Sequence, residues 1–515
     1  MNFTSFHFVI FFFVTLTLGH VLKNRTQRIF LWVASYYFYG VFEPFYLVLI
    51  LISTTWDYFS GIAIDARIRF EKGETLSGFT KQLSSFPRKT WVILSVIFNL
   101  CLLGYFKYTN FGIEVFNDLT PVGDTVMSWP MQHILLPIGI SFYTFMSMSY
   151  TVDVYRGVVQ ARRNFVDFAL YICFFPHLVA GPIVRPHTFF SKLDNRLPVD
   201  KDAVILAMSR IVVGFFRKLV LADNIAPIVN QAFANPQLYS TPDLWLAAIC
   251  FGFQIYFDFA GYTDIARGVA RLFGFEFEVN FNYPMAASSI KDHWERWHIS
   301  LASWVRDYIF IPMGGSRISP FRTYVNIFAS WVFVGIWHGA DYHFVAWGIW
   351  QAVMLSSHRA YSLTAFGAKM NALTGVPGRI YDVACRIVTM WFLSFGFVWF
   401  RADHISTGNL FLGRMYGVPD LLRSFDIFKG WINSTAQWTD FTASLSGIQV
   451  PSLLTEYWAV LAIYFLYEYF FYYYRLSTFR EPQNRGKWIA LMIFMIFCII
   501  ALGASDSSNF LYFQF

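Results

Sequence analysis

Residues 324–350 read YVNIFASWVFVGIWHGADYHFVAWGIW, an apolar run that ends on His338 and resumes a few residues later. An ionisable side chain at membrane depth is expensive, and such residues mark functional sites by default. Gly335 and Gly339 flank His338 at the G-x-x-x-G spacing that lets a neighbouring helix or a substrate approach closely. Imidazole titrates near neutral pH, so His338 is a candidate for taking and returning a proton. A buried structural histidine donating to a carbonyl is the competing, somewhat weaker reading of the same segment.

Upstream, residues 291–322 read KDHWERWHISLASWVRDYIFIPMGGSRISPFR. The preceding FNYP, 281–284, is biased away from helix just before its proline. Trp294, Trp297, Leu301, Trp304, Val305 and Tyr308 then recur at spacings of three and four, which predicts an amphipathic helix. His298 lies on its apolar stripe, with Lys291, Glu295, Arg306 and Asp307 around the other faces. A turn at Pro312, Gly314 and Gly315 ends it, with Arg317 just beyond. Its basic flanks put this region at the cytoplasmic surface or in a cavity open to it. A packed interfacial histidine is the plainer reading of His298. The two histidines stand on separate elements and can converge on one cavity. No third ligand has metal-site spacing, and His343 follows His338 by five residues rather than the four that share a helix face, so no metal is expected.

Working outward, the chain is apolar along its whole length. Only 14% of its residues are charged, against about 25% in soluble proteins, and its mean hydropathy is +0.45. Further apolar runs occupy 29–40, 45–59, 91–105, 134–152, 165–183, 203–216, 244–259, 387–400, 457–474 and 488–502. Several are shorter than the roughly 20 residues that cross a bilayer, so some must be tilted, broken or re-entrant around a cavity. The expected fold is an all-α polytopic membrane protein with roughly 11–13 spanning or re-entrant segments. It forms one domain over 1–515, its active region near 280–350, with no internal repeat.

Residues 1–22 lack a basic leader and a cleavage site, and read as a retained first span. Lys23, Arg25 and Arg28 follow, so the positive-inside rule puts the N-terminus outside. Residues 65–89 read as a basic cytoplasmic linker, and 401–452 as a surface loop with short helices. The net charge of +7 comes from residues at the ends of apolar runs, which argues for topology and against nucleic acid. The five cysteines lie in or beside apolar runs and read as packing residues.

Two more stretches carry polar groups. In YFDFAGYTDIARG, 256–268, Asp264 and Arg267 stand at the spacing of a helix-face ion pair, with Asp258 nearby. In FFPHLVAGPIVR, 174–185, Pro176, Gly181 and Pro182 interrupt a span around His177, as in helices that line cavities.

HWERWHISLASWVRDYIFIPMGGSR followed by GIWHGADYHFVAWG resembles the signature of the membrane-bound O-acyltransferase family. LGYFKYTNFG, LPIGISFYTFMSMSYTVDVYRG, FFPHLVAGPIVR and IYFDFAGYTDIARG, in that order, resemble its alginate O-acetyltransferase-type branch. The resemblance implies a helical ring with cytoplasmic and extracytoplasmic funnels meeting near His338, the family's catalytic histidine, with His298 as the second. It implies acetyl-coenzyme A as donor substrate with no tightly bound cofactor. The implied acceptor is an extracytoplasmic polysaccharide, served by a periplasmic esterase-like partner, in a bacterial inner membrane. Peptidoglycan O-acetylation and D-alanyl or protein acylation are the alternatives within the family, and a transporter or exporter the alternative outside it. Trp294, Trp297 and Trp337 would shape a dry acyl pocket, while Arg306, Asp307 and Arg317 would meet the donor at the cytoplasmic mouth. The sequence departs from the branch at His293 and Glu295, where an aromatic and an arginine are usual. It departs again at Asp341 and Tyr342, where the branch has Asn and an aromatic.

Overall fold

The computed structural model describes residues 1, 3–119, 131–132, 134–178, 181–417, 485–504 and 510–511. The expected span at 457–474 and most of 401–452 lie outside them. The described secondary structure is helical, as the apolar runs predict: backbone polar groups in lipid must be satisfied within their own segment.

The helices begin with α1 (Phe6–Val21), α2 (Asn24–Gly40), α3 (Phe45–Glu71), α4 (Gly78–Leu83), α5 (Arg88–Leu119) and α6 (Ile140–Arg156). Here one expectation is corrected. The 65–89 linker is helical at its start, because α3 runs on to Glu71 and uses Arg67, Arg69 and Glu71 in surface ion pairs. Short helices follow: α7 (Phe165–Cys173), α8 (Phe175–Leu178) and α9 (Pro186–Asp194). The span around His177 is therefore broken, and His177 turns its Nε2 to the Tyr171 carbonyl at 3.0 Å.

Next come α10 (Lys201–Phe215), a π-helical turn over Phe216–Ala222, α11 (Asp223–Ala234) and α12 (Thr241–Leu272). Among the described residues four helices, α3, α5, α12 and Gly375–Arg401, are long and apolar enough to cross a membrane. In α12 83% of the most apolar window is buried, against 17% in α5, so α12 is the central post and α5 a peripheral one. Gly261 lets α10 close on α12: a Cβ there would sit 2.8 Å from the Gly214 carbonyl oxygen. Charges on this wall are paired. Lys218 bridges Asp223 at 2.8 Å and Asp258 at 2.7 Å, and Asp264 takes both Arg217 and, at 3.4 Å, Arg267. The i,i+3 pair expected for Asp264 and Arg267 is present within a larger network.

The remaining helices are α13 (Ile290–Arg296), α14 (Ile299–Val305), a second π-helical turn over Arg306–Phe310, α15 (Pro320–His338) and α16 (Tyr342–Ser362). They are followed by α17 (Ala365–Asn371), α18 (Gly375–Arg401), α19 (Ile405–Met415) and α20 (Arg485–Leu502). The G-x-x-x-G pair serves the α15–α16 hairpin: a Cβ on Gly335 would meet the Phe344 carbonyl and the Gly348 backbone.

Candidate active site

The single amphipathic helix expected across 291–310 is two helices, and the break falls on His298. Its backbone is left-handed, φ 42° and ψ 54°, a conformation costly for a residue with a Cβ. The three-and-four spacing did not reveal this, because both halves keep the helical period. Asn280 holds the break. Its carbonyl accepts from the Ile299 N–H at 2.9 Å, and its side-chain oxygen accepts from the Ser300 N–H at 3.1 Å and hydroxyl at 2.9 Å. Those bonds satisfy donors at the start of α14 that His298 does not cap itself. The Ser300 hydroxyl also accepts from the Ile183 N–H at 3.0 Å, which ties in the segment after the broken span.

His298 is buried in an aromatic wall. Phe259 meets its ring edge-on at 4.7 Å and Phe142 stacks at 6.2 Å. His338, the last residue of α15, is also buried, with Trp337 at 4.8 Å, Phe400 at 5.0 Å and Trp347 edge-on at 5.1 Å. One aromatic route joins the histidines through Phe142 and Trp337, and a second set of rings runs from His338 to the cavity wall. Phe142 touches both His298 and, at 6.0 Å, Trp337. Trp347 touches both His338 and, at 5.9 Å, Trp294. The Trp337 indole N–H is buried with no protein acceptor among the described residues.

A cavity of about 1500 Å³ opens between α13–α14, α15, α16 and α18. Trp294, His298 and Arg306 line it, whereas His338, Trp297, Trp337, Asp307 and Arg317 do not. Trp294 is anchored by its indole N–H to Gln351 at 3.3 Å and packs on Trp331 at 4.1 Å. Trp297 faces the other way, onto Phe281 at 5.2 Å, and so backs the wall behind His298. Arg306 is exposed and pairs with Asp307 at 2.8 Å, and Asp307 also takes Arg185 at 3.1 Å. Arg317 is exposed in the turn after Gly315. Among the described residues no group of three or more His, Cys, Asp and Glu could hold a metal ion. His343 gives its Nδ1 to the Trp399 carbonyl at 2.7 Å, a separate anchor.

The four departures from the family pattern have structural uses. Asp341 caps α16 by accepting from the His343 N–H at 3.1 Å, and Tyr342 packs edge-on against Phe111 at 5.2 Å. His293 is buried against the Pro284 carbonyl at 3.0 Å, and Glu295 pairs on the surface with Lys291 at 3.6 Å. Phe142, Phe259 and Phe400 build the cage from segments far from 291–350, and Trp347, inside that stretch, adds a ring that the spacing did not single out. Reading 291–350 alone also missed Lys107, for which a signal existed: an ammonium group just past the apolar run 91–105.

The pattern of the membrane-bound O-acyltransferase family matches residues 160–372. Among curated proteins, the chain is 37% identical to "Probable alginate O-acetylase AlgI" of Pseudomonas aeruginosa over 475 residues, covering 91% of this chain and 82% of the relative. It is 34% identical to the Pseudomonas putida protein of the same name, covering 98% of each. It is 30% identical to "Peptidoglycan O-acetyltransferase" of Helicobacter pylori, covering 76% of this chain and 74% of the relative.

Proposed function

The chain belongs to the membrane-bound O-acyltransferase family, and from that premise we propose that it acetylates an exopolysaccharide of the alginate type, with acetyl-coenzyme A as donor. It is a multi-pass membrane O-acyltransferase. The reading carries these further parts: a bacterial inner membrane, donor entry from the cytoplasm, acceptor outside, and a periplasmic esterase-like partner that completes transfer. Acetyl-coenzyme A is a diffusing substrate, and no tightly bound cofactor is invoked. The orientation rests on charge. Arg317, Arg322, Arg359, Lys369 and Arg379 cluster around the start of α15, the end of α16 and the start of α18. The positive-inside rule assigns that end to the cytoplasm. By the same rule Arg25 and Arg28 at the start of α2 are cytoplasmic, and the N-terminus is outside.

In the reaction, His338 takes the proton of the attacking hydroxyl as its oxygen bonds to the thioester carbonyl carbon. The C–S bond then breaks, and the proton passes to the leaving thiolate, giving an ester and the free thiol. His298, with the Trp337 indole N–H, steadies the developing oxyanion. Trp294 and Trp337 keep water from the thioester, and Arg306 stands at the cavity mouth where donor phosphates enter. The observation that carries this reading is the pair of buried histidines joined through Phe142 and Trp337, one of them lining the large cavity.

The test uses purified protein in nanodiscs with radiolabelled acetyl-coenzyme A, comparing wild type with His338→Ala and His298→Ala after both are shown monodisperse. Thioester turnover or label transfer in wild type, abolished by His338→Ala, is the expected result. Turnover unchanged in both variants would overturn the mechanism. Repeating the assay with alginate oligomers and with peptidoglycan fragments as acceptors separates the two polymers that relatives' names suggest.

A further inference from the structure

The last four carbonyls of any α-helix have no partner in their own helix. In α15 these are Gly335, Ile336, Trp337 and His338, and they lie where unsatisfied carbonyls are most costly. All four are accounted for. Gly335 accepts from the Gly339 N–H at 3.4 Å. Ile336 accepts from the Tyr108 hydroxyl at 2.7 Å. Trp337 and His338 both accept from the Lys107 ammonium, at 2.5 and 2.8 Å. Three of the four bonds thus come from two consecutive residues of α5, more than two hundred positions away in sequence.

From this geometry we infer that Lys107 is the positioning residue of the acyl-transfer site, fixing the end of α15 so that His338 is held at the angle the reaction needs, with Tyr108 as its auxiliary. The inference rests on His338 being the base. An ammonium suits the role for three reasons. It has three N–H donors on one centre and so can bridge two consecutive carbonyls. It is a cation at the negative end of a helix dipole. Its stem is flexible enough to reach across from a peripheral helix, and its head passes 5.9 Å from the Trp337 ring, the bridge between the two histidines. Lys107 itself is stabilised by the same bonds, since intramembrane cations persist where backbone carbonyls receive them. Without the clamp, the final turn carrying Trp337 and His338 frays, and a displacement of about 1 Å at a reacting group costs on the order of a hundredfold in rate.

The experiment measures kcat and KM for acetyl-coenzyme A in nanodisc-embedded Lys107→Met, Lys107→Arg, Tyr108→Phe and His338→Ala, each normalised to monodisperse protein. Lys107→Met is expected to lose about ten- to a hundredfold in kcat with KM within about twofold, the signature of misplaced chemistry rather than lost binding. Lys107→Arg, which keeps a charged multiple donor, is expected to recover most of that loss. Tyr108→Phe, losing one bond farther from the histidine, is expected to lose about threefold in kcat at unchanged KM. It carries the test alone if Lys107→Met does not fold. A Lys107→Met enzyme with wild-type kcat, one altered only in KM, or a fully active Tyr108→Phe in the absence of a folded Met variant overturns the inference. His338→Ala separates the two levels: if it is inactive while Lys107→Met is fully active, only the clamp fails. If His338→Ala is active, the reading beneath it fails.

Discussion

Two regions of this protein bury ionisable groups at comparable depth and treat them in opposite ways. Along the α10–α12 wall, charge meets charge: Lys218 with Asp223 and Asp258, and Asp264 with Arg217 and Arg267. Around the end of α15, the imidazoles of His338 and His298 are set among rings, and the nearest cation, Lys107, spends its donors on backbone carbonyls. The first arrangement neutralises groups whose desolvation would otherwise be prohibitive, and removing one member leaves its partner buried and uncompensated. The second keeps a titratable ring dry and oriented, and in the proposed mechanism its proton chemistry serves the substrate. If the proposed mechanism holds, the company a buried ionisable group keeps separates a structural role from a chemical one more sharply than its depth does.

Substitutions can break or sharpen that contrast. The largest expected effect is that of His338→Ala, a loss of about a thousandfold or more in kcat with little change in melting temperature, since general base catalysis supplies about 10²–10⁴-fold. If stability collapses instead, the aromatic cage is structural and the contrast fails. Lys218→Met should do the converse. It strands two carboxylates and costs about 3–5 kcal/mol of stability, seen as low yield and early thermal unfolding, while the surviving folded fraction turns over normally.

His298 joins the two sides, because it lines the cavity and its backbone is strained. His298→Ala and His298→Gly should both lose about a hundredfold in turnover. The glycine variant, however, should be more stable than the alanine by about 1 kcal/mol, because φ 42° costs glycine nothing. Equal stabilities measured by thermal shift would mean the left-handed backbone is not retained.

The smallest effect belongs to the exposed version of the paired arrangement. Arg162 binds Asp194 at 2.6 Å and Asp167 at 2.7 Å near the surface. The Arg162 hydrogen bond holds the Asp194 carboxyl below its ordinary range. A depressed carboxyl contributes stability at neutral pH and loses it as pH falls through the carboxylate range. Asp194→Asn should therefore remove part of the acid sensitivity of unfolding, while changing stability at pH 7 by about 0–1 kcal/mol, as exposed pairs do.

How much of this was legible beforehand can be followed residue by residue. The apolar runs marked most of the described helices, since length and hydropathy are what a bilayer selects. They understated α3 and α12, whose ends are polar but still wound. His338 and His298 stood out because an imidazole in an apolar run is conspicuous. The break at His298 did not, because Asn280, which stabilises it, lies eighteen residues upstream in a non-helical segment. The substrate-facing list divided in the same way. Trp294 and Arg306 reach the cavity, while Trp297 backs the wall and Asp307 is taken up by Arg185 and Arg306.

The sequence by itself determined that the chain is a helical membrane protein, which acyltransferase family it resembles, and which two histidines to watch. All of these follow from local composition, period and motif. Only the tertiary structure decided what surrounds those histidines. Phe142, Phe259, Trp347, Phe400 and Lys107 come from five different helices, and their meeting depends on how α5, α6, α12, α16 and α18 pack against the end of α15 and the break at His298. Helical periodicity reports which face of a segment is apolar. It carries no information about which distant face will cover it, and here that covering supplies both the cage and the clamp.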